Sequence, residues 1–231
     1  MPRRLILVPT EMERRILAPI LAPVMPQDCR LALCGFGPVA AAARTAQLLA
    51  EQSPERVLLV GIAGSLDDRL AVGAAYHFDR VACYGIGAGS GGEFVSAETL
   101  GWHQWPGDTD GTSPLRKGQH GDPSNASIGD LIVCGPGVGN GGGRADLLLT
   151  VCAAAANAED VRLRRQTFPA AMAEDMEGFA VAFACRLRGV PVDLVRGISN
   201  VAADRDKSRW QVAAAVESAG RLAVQIVAEA S

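Results

Sequence analysis

The sequence has no surplus of positive charge. Its 22 Lys and Arg residues are outnumbered by 25 Asp and Glu residues, which gives a net charge of −3. Proteins that bind nucleic acid or anionic membranes need clustered basic residues to neutralise phosphates. No such cluster is present, so we expect neither nucleic acid nor a membrane among the partners.

Long apolar runs and metal-binding cysteine patterns are also missing. The first apolar run, residues 5–8, ends at Pro9 and is shorter than a signal peptide or a membrane span of about 20 residues. The six cysteines form no C-x-x-C pair and have no nearby His to complete a zinc site. We expect a soluble, cytoplasmic protein with reduced cysteines, no metal and no cofactor.

The chain does have enough apolar residues for a large core, since 48% of its 231 residues are hydrophobic. Short apolar runs alternate with segments of helical period, which is typical of a mostly parallel sheet covered by helices. We predict a single α/β domain, residues 1–231, of three layers, in which helices flank a mostly parallel or mixed central sheet. Predicted strands cover residues 5–8, 31–34, 57–60, 72–84, 131–134 and 190–195, and predicted helices cover residues 11–21, 39–51, 176–188 and 207–230.

A segment rich in Gly, Ser and Asp interrupts this pattern at about residues 86–127. Loops of this length are uncommon inside a compact domain unless they have a function such as covering an active site. Because no second apolar core follows the segment, a partly ordered flap is favoured over a linker between domains.

Two glycine-rich stretches, residues 35–40 and 137–142, fit the glycine spacing of dinucleotide-binding loops. Neither is followed by the acidic residue that would bind a ribose diol, so a dinucleotide-dependent oxidoreductase is disfavoured. The glycines either allow sharp turns at strand ends or line a pocket at the carboxyl edge of the sheet, and the two roles are compatible.

Three separated segments place polar residues after an apolar strand or at the start of a helix. Glu11 and Glu13 follow the first strand, three carboxylates surround Met176, and the last strand leads to Asn200. Acidic residues at helix starts also complement the helix dipole. That explanation is weaker for Glu177, because its burial before an apolar helix would need a polar partner.

Four blocks occur in order along the chain: GFGPVAAA at 35–42, VGIAGSL at 60–66, FPAAMAEDMEG at 168–178 and VRGISN at 195–200. They resemble the ordered motifs of the nucleoside phosphorylase/nucleosidase superfamily and cover nearly the whole chain. The P-T-x-x-E opening, residues 92–94 and the segment 198–210 further resemble the futalosine hydrolases. The resemblance implies a homodimer or larger homo-oligomer that hydrolyses futalosine, a 6-oxopurine nucleoside, to hypoxanthine and dehypoxanthine futalosine in menaquinone biosynthesis.

N-glycosidic cleavage develops positive charge on the ribosyl ring and negative charge on the departing base, so anionic groups near the sugar and donors near the base are needed. By resemblance, Glu13 positions and deprotonates the attacking water, with Glu11 as the alternative. Glu177 would hydrogen-bond the ribose hydroxyls, and Met176 would pack against the sugar.

Asn200 is predicted to decide the base preference. Nucleosidases for adenine compounds usually have Asp at this position, whose protonated form can deliver a proton to N7. An amide cannot protonate the base, but its NH₂ group can donate to N7 or O6 of a 6-oxopurine. Because an amide can also pair with adenine, Asn200 favours hypoxanthine without excluding adenine.

Arg205 is predicted either to bind the carboxylate of the benzoate arm of futalosine or to form a surface ion pair with Asp204 or Asp206. The remaining predicted substrate-binding residues are Ala63, Gly64 and Ser199.

Related enzymes often have a Thr- or Ser-rich stretch before the base-stacking residue, where residues 138–143 read VGNGGG. The alternatives are a methylthioadenosine/adenosylhomocysteine nucleosidase, a purine nucleoside phosphorylase and a nucleoside-binding module without turnover. Hydrolysis is favoured over phosphorolysis, since a candidate water base is present and no arginine cluster for phosphate is evident.

Overall fold

The structure, a computed structural model, describes residues 4–107, 126–134 and 143–229. In these ranges the chain forms strands β1 (Arg4–Val8), β2 (Cys29–Leu33), β3 (Arg56–Ser65), β4 (Ala75–Cys83), β5 (Gly87–Ala88), β6 (Val95–Ser96), β7 (Leu131–Val133), β8 (Gly143–Thr150), β9 (Ala171–Asp175) and β10 (Val192–Val201). The helices are α1 (Glu11–Leu21), α2 (Pro38–Gln52), α3 (Ala158–Thr167), α4 (Gly178–Leu187) and α5 (Val212–Glu229).

The main sheet mixes parallel and antiparallel pairs. β1 lies between β2 and β3, and β10 pairs with β3 on its other side, all in parallel. The strands β10, β4, β8 and β9 then continue the sheet, and β9 pairs with the last two residues of β3. A closed ring is therefore formed by β3, β10, β4, β8 and β9. The sequence patterns identify strands one at a time and had not predicted this ring.

Helices cover both faces of the sheet because alternate residues of a strand point to opposite sides. In β1, Leu5 and Leu7 belong to the apolar core that contains residues of α2 and α4. The intervening Ile6 and Val8 belong to a second core, with residues of α1 and α5. The prediction of a mixed α/β sheet flanked by helices is confirmed.

Several predicted boundaries were wrong. β3 was predicted to end at residue 60 and β10 at residue 195, but both strands continue to Ser65 and Val201. Their polar and glycine residues are accommodated because β3 and β10 pair with each other along this extension. No element was predicted over residues 143–175, where β8, α3 and β9 lie, and the final helix begins at Val212 after a short 3₁₀ turn, Lys207–Arg209.

The described part of the loop segment contains the small hairpin of β5 and β6 and a 3₁₀ turn, Gly91–Glu93. The rest of the segment, residues 108–125, lies outside the described residues, and so does the second glycine-rich stretch, residues 137–142. In the described ranges, none of the helices combines the length and the apolar character that crossing a bilayer requires.

The contact between β10 and α5 depends on Gly197. A Cβ atom at this position would lie 2.0 Å from the backbone oxygen of Ala215 in α5. We therefore expect Gly197→Ala to lower the free energy of unfolding by about 3 kcal/mol or more, because backbone must move apart. Urea unfolding followed by circular dichroism measures the change.

The matched control is Gly92→Ala, since a Cβ atom on Gly92 has no neighbour within 4 Å. Equal stability of the two variants would contradict the close packing of α5 on β10.

Candidate active site

A cavity of about 260 Å³ lies where strands β1, β3, β8, β9 and β10 end. Residues from the three polar segments identified in the sequence meet here, although they are far apart along the chain. All eight residues that were predicted for the site line this cavity: Glu13, Ala63, Gly64, Met176, Glu177, Ser199, Asn200 and Arg205.

Glu13 is buried and held by three hydrogen bonds. It forms a capping box at the start of α1, in which the backbone N–H and the hydroxyl of Thr10 donate to Oε2 at 3.0 and 2.5 Å. The N–H of Ile62 donates to Oε1 at 3.1 Å. Glu11, the alternative base, instead forms a partly exposed ion pair with Arg14 and does not line the cavity. The geometry therefore favours Glu13.

Arg196 is the centre of the charged part of the site, and the sequence analysis missed it. It is completely buried, and its Nε and Nη2 donate to Asp175 Oδ2 at 3.0 and 2.6 Å. Glu177 Oε2 lies 3.6 Å from Nη2. The available signal was an arginine within an apolar strand, which needs a buried partner.

The remaining nitrogen of Arg196, Nη1, has no hydrogen-bond partner within the described ranges. A Cβ atom on Gly61 would lie 2.5 Å from this nitrogen and 2.8 Å from Glu13 Oε1. Glycine is therefore required at residue 61, and it leaves Arg196 Nη1 and Glu13 Oε1 side by side.

Asp175 is fixed from several directions. The hydroxyl of Thr150 donates to its Oδ1 at 2.6 Å, and the N–H of Gly178 donates to its Oδ2 at 2.8 Å. Thr150 in turn accepts the N–H of Phe179 at 2.7 Å. Asp175 therefore caps the N-terminus of α4 while it binds Arg196, which links the helix to the charged centre.

Glu177 accepts the N–H of Gly37 at 3.0 Å and is 4% exposed. Burial raises the pKa of Glu177 to about 7; Arg196 opposes this rise, while the neighbouring carboxylates of Asp175 and Glu13 add to it. Gly37 has a φ of 82°, a backbone conformation that favours glycine. The first glycine-rich stretch therefore binds a carboxylate of this chain.

Ser199 and Asn200 lie at a bulge where β10 pairs with the end of β3. The hydroxyl of Ser199 lies 2.7 Å from Asn200 Oδ1 and 3.2 Å from the backbone oxygen of Ala63. The amide nitrogen of Asn200 donates to the backbone oxygen of Val201 at 2.8 Å. With Oδ1 bound by Ser199, the second amide hydrogen of Asn200 is available to the cavity.

Arg205 is an exposed guanidinium on the cavity wall. Its two predicted surface partners, Asp204 and Asp206, pair instead with Arg209 at 2.7 and 3.6 Å. In the part of the chain that the structure describes, no ion pair or hydrogen bond of the Arg205 side chain is present. The Nε1 of Trp210 binds the backbone oxygen of Asp204 at 2.9 Å, which holds this segment beside the cavity.

The aromatic side chains that line the cavity, within the described ranges, are Phe36 and Trp210. Small apolar residues after β8 form another wall: Val151, Ala154 and Ala155. Of the stretch 138–143, predicted to precede the base-stacking residue, all but Gly143 lies outside the described residues. Gly143 itself begins β8.

A sequence model of the phosphorylase superfamily matches residues 27–230. The chain belongs to the phosphorylase superfamily. The predicted resemblance to this superfamily is thereby confirmed, and the match spans every predicted site residue except Glu13.

Two characterised members of the phosphorylase superfamily are similar to this chain in sequence. The futalosine hydrolase of Streptomyces coelicolor is 28% identical over 86% of this chain and 80% of its own length. The 5'-methylthioadenosine/S-adenosylhomocysteine nucleosidase of Tolumonas auensis is 26% identical over 80% of this chain and 73% of its own length. The prediction of an N-glycosyl hydrolase is confirmed at the level of this family, while the two identities do not separate the two activities.

Solved structures of superfamily members share the fold. The 5'-methylthioadenosine/S-adenosylhomocysteine nucleosidase of Neisseria meningitidis, in complex with methylthio-immucillin-A, superposes with a TM-score of 0.73 and 20% identity over 98% of this chain and 99% of that one. The futalosine hydrolase of Helicobacter pylori gives a TM-score of 0.72 and 16% identity over 99% of this chain and 98% of that one.

The raised pKa of Glu177 predicts a pH-dependent contribution to stability. The ordinary pKa of the carboxyl is 4.5 and its pKa in the fold is about 7, so its stabilising contribution is complete below pH 4.5 and is lost as the pH rises through 7. Glu177→Gln removes this titration. As the pH rises from 5 to 8, we expect the free energy of unfolding of the variant to increase by up to about 3 kcal/mol relative to that of the unmodified protein.

Urea unfolding at both pH values measures this difference. The control is Glu217→Gln, an exposed carboxylate in α5 that lies 3.7 Å from Arg221. A parallel pH dependence in the unmodified protein and Glu177→Gln would refute the raised pKa.

Proposed function

We propose that this protein hydrolyses the N-glycosidic bond of futalosine, releasing hypoxanthine and dehypoxanthine futalosine, in the cytoplasm and as a step of menaquinone biosynthesis. The observation that carries the proposal is one cavity lined by the buried carboxylates of Glu13 and Glu177, the amide of Asn200 and the guanidinium of Arg205, which has no ion pair within the described residues. Arg196 lies behind the carboxylates, 3.6 Å from Glu177. The two carboxylates suit an attacking water and the ribose. The amide of Asn200 suits a 6-oxopurine, and Arg205 suits a carboxylate.

The attacking water binds beside Gly61 in this proposal, between Glu13 Oε1 and Arg196 Nη1. It donates one hydrogen bond to the carboxylate and accepts one from the guanidinium, which gives Nη1 the partner that it lacks within the described residues. The water oxygen bonds to C1' as the bond from C1' to N9 breaks. The electron pair of that bond leaves with the base, and the water proton passes to Glu13.

Glu177 stabilises the sugar during this step. In its ionised form it accepts hydrogen bonds from the ribose hydroxyls and offsets the positive charge that develops on the ring. Gly37 and Arg196 hold the carboxylate in place. Met176 also lines the cavity, where its thioether packs against the sugar.

The amide of Asn200 supports a 6-oxopurine as the leaving group. The negative charge of departing hypoxanthine is delocalised onto O6, and the free amide hydrogen of Asn200 can donate to O6 or N7. Ala63, Gly64 and Ser199 form the adjoining strand ends, and Ser199 orients the amide by binding Oδ1. An adenine nucleoside remains the second candidate, because the Tolumonas auensis nucleosidase is almost as similar in sequence.

Assembly into a homodimer or larger homo-oligomer is part of the proposal. Met12 and Phe36 line the cavity although 46% and 66% of their surfaces are exposed. Val39, at the start of α2, is 83% exposed. Apolar side chains in this number around a substrate cavity are typical of a surface that is covered in the assembled enzyme.

Incubation with futalosine, inosine and methylthioadenosine, each with and without phosphate, tests the reaction. We expect hypoxanthine to be released from futalosine whether or not phosphate is present. Chromatography of the free base measures this release. Glu13→Gln should lower kcat by about 10²- to 10⁴-fold with little change in KM, because the water loses its base.

The matched control is Glu11→Gln, two residues away in the same helical turn, which should retain activity. Strict phosphate dependence, or a full loss of activity in Glu11→Gln alone, would contradict the assignment of Glu13. Binding of futalosine without release of base would contradict hydrolysis altogether.

Arg205→Gln separates recognition of the carboxylate arm from the chemistry. We expect KM for futalosine to rise roughly 10-fold or more, as for a lost charge-assisted hydrogen bond. The kinetics with inosine, which lacks the arm, should change little. Arg221→Gln, at an exposed position of α5, is the control, and an equal effect on both substrates would contradict this role of Arg205.

A further inference from the structure

Glu174 is a buried carboxylate on the cavity wall that the proposed reaction does not use. It is the penultimate residue of β9 and is 5% exposed. Its neighbours in sequence, Asp175 and Glu177, both contact Arg196, whereas Glu174 has a separate set of partners. A buried carboxylate needs polar partners.

The partners of Glu174 hold it in one position. Its Oε1 accepts the N–H of Ala155 at 2.8 Å, and its Oε2 pairs with the buried Arg164. Arg164 also donates to the backbone oxygen of Ala153 at 2.8 Å and lies over the ring of Tyr84. Each carboxylate oxygen can accept a second hydrogen bond, so Glu174 retains acceptor capacity beside the cavity.

Glu174 and Asn200 lie on either side of Gly64. In the sheet, Gly64 of β3 pairs with Glu174 of β9 and with Asn200 of β10. A Cβ atom on Gly64 would lie 3.6 Å from Glu174 Cγ and 3.6 Å from Asn200 Nδ2. Because glycine has no side chain there, the side chain of Glu174 and the amide of Asn200 border the same space beside the cavity.

We propose that Glu174 is a specificity-determining residue that accepts the N1–H of a 6-oxopurine, while Asn200 donates to O6 or N7. This inference rests on the proposed function. Hypoxanthine presents a donor at N1 next to an acceptor at O6, which complements the carboxylate and the amide. Adenine has no proton at N1. Its N1 lone pair would therefore face the Glu174 carboxylate without a hydrogen bond between them.

A purely structural role for Glu174 makes a different prediction. The ion pair with Arg164 also braces the segment after β8, which contains Ala153 and Ala155. If Glu174 only supported this segment, loss of the ion pair would lower the turnover of every nucleoside to the same extent. Loss of a base contact changes the ratio between 6-oxopurines and 6-aminopurines, so the ratio is the informative measurement.

Glu174→Gln keeps the shape of the side chain but presents both a donor and an acceptor. We expect the kcat/KM ratio of inosine to adenosine to fall roughly 10- to 100-fold in this variant, as for a hydrogen bond to a charged group. The control is Glu159→Gln, an exposed carboxylate of α3 that pairs with Arg162. An unchanged ratio in Glu174→Gln overturns the inference.

Calorimetry on the unmodified protein tests the contact without turnover and without a variant. We expect hypoxanthine to bind at least about 10-fold more tightly than either 1-methylhypoxanthine, which lacks the N1 proton, or adenine. Equal affinities overturn the role of Glu174 while leaving futalosine hydrolysis intact. A protein that prefers hypoxanthine but releases no base from futalosine supports the contact and refutes the proposed function.

Discussion

The site depends on the burial of one positive charge. Arg196 lies on β10 with no exposed surface, and a guanidinium in such a place is stable only if carboxylates reach it. Asp175 from the end of β9 binds it directly, while Glu177 and Glu13 come from the starts of two helices. These elements must come together before Arg196 can be buried, so the requirement that stabilises the fold also assembles the charged half of the cavity.

The same centre carries more negative than positive charge, and this imbalance has chemical consequences. Three carboxylates around one guanidinium cannot all be fully neutralised. Burial raises the pKa of Glu177, and the neighbouring carboxylates of Asp175 and Glu13 add to this rise. Surplus negative charge beside a ribose is suited to a transition state in which the sugar becomes cationic. Glycines at residues 37 and 61 make the arrangement possible, the first by donating its N–H to Glu177 and the second by leaving space for Arg196 and Glu13.

The opposite half of the cavity carries the proposed base specificity of this chain. Its superfamily includes both a futalosine hydrolase and a methylthioadenosine nucleosidase at nearly equal sequence identity, so overall similarity does not separate the two activities. In the proposed function, the choice between them rests on a few side chains that would contact the base and the distal arm. In this chain Glu174, Asn200 and Arg205 line the cavity, and in the proposed function they bind a 6-oxopurine joined to a carboxylate.

Sequence patterns by themselves determined the α/β class, most helices, and eight of the residues that line the cavity, because strand and helix periods are local and the superfamily motifs lie at strand ends. They did not reveal Arg196, whose role depends on Asp175, Glu177 and Glu13, carboxylates from other segments of the chain. They also left open the choice between Glu11 and Glu13, and the pairing of Arg205. Only the tertiary structure shows that Arg196 is buried, that Glu13 rather than Glu11 lines the cavity, and that Asp204 and Asp206 pair with Arg209. Burial, the closure of β3 to β9 into a ring, and competition for an ion-pair partner arise from contacts between distant segments.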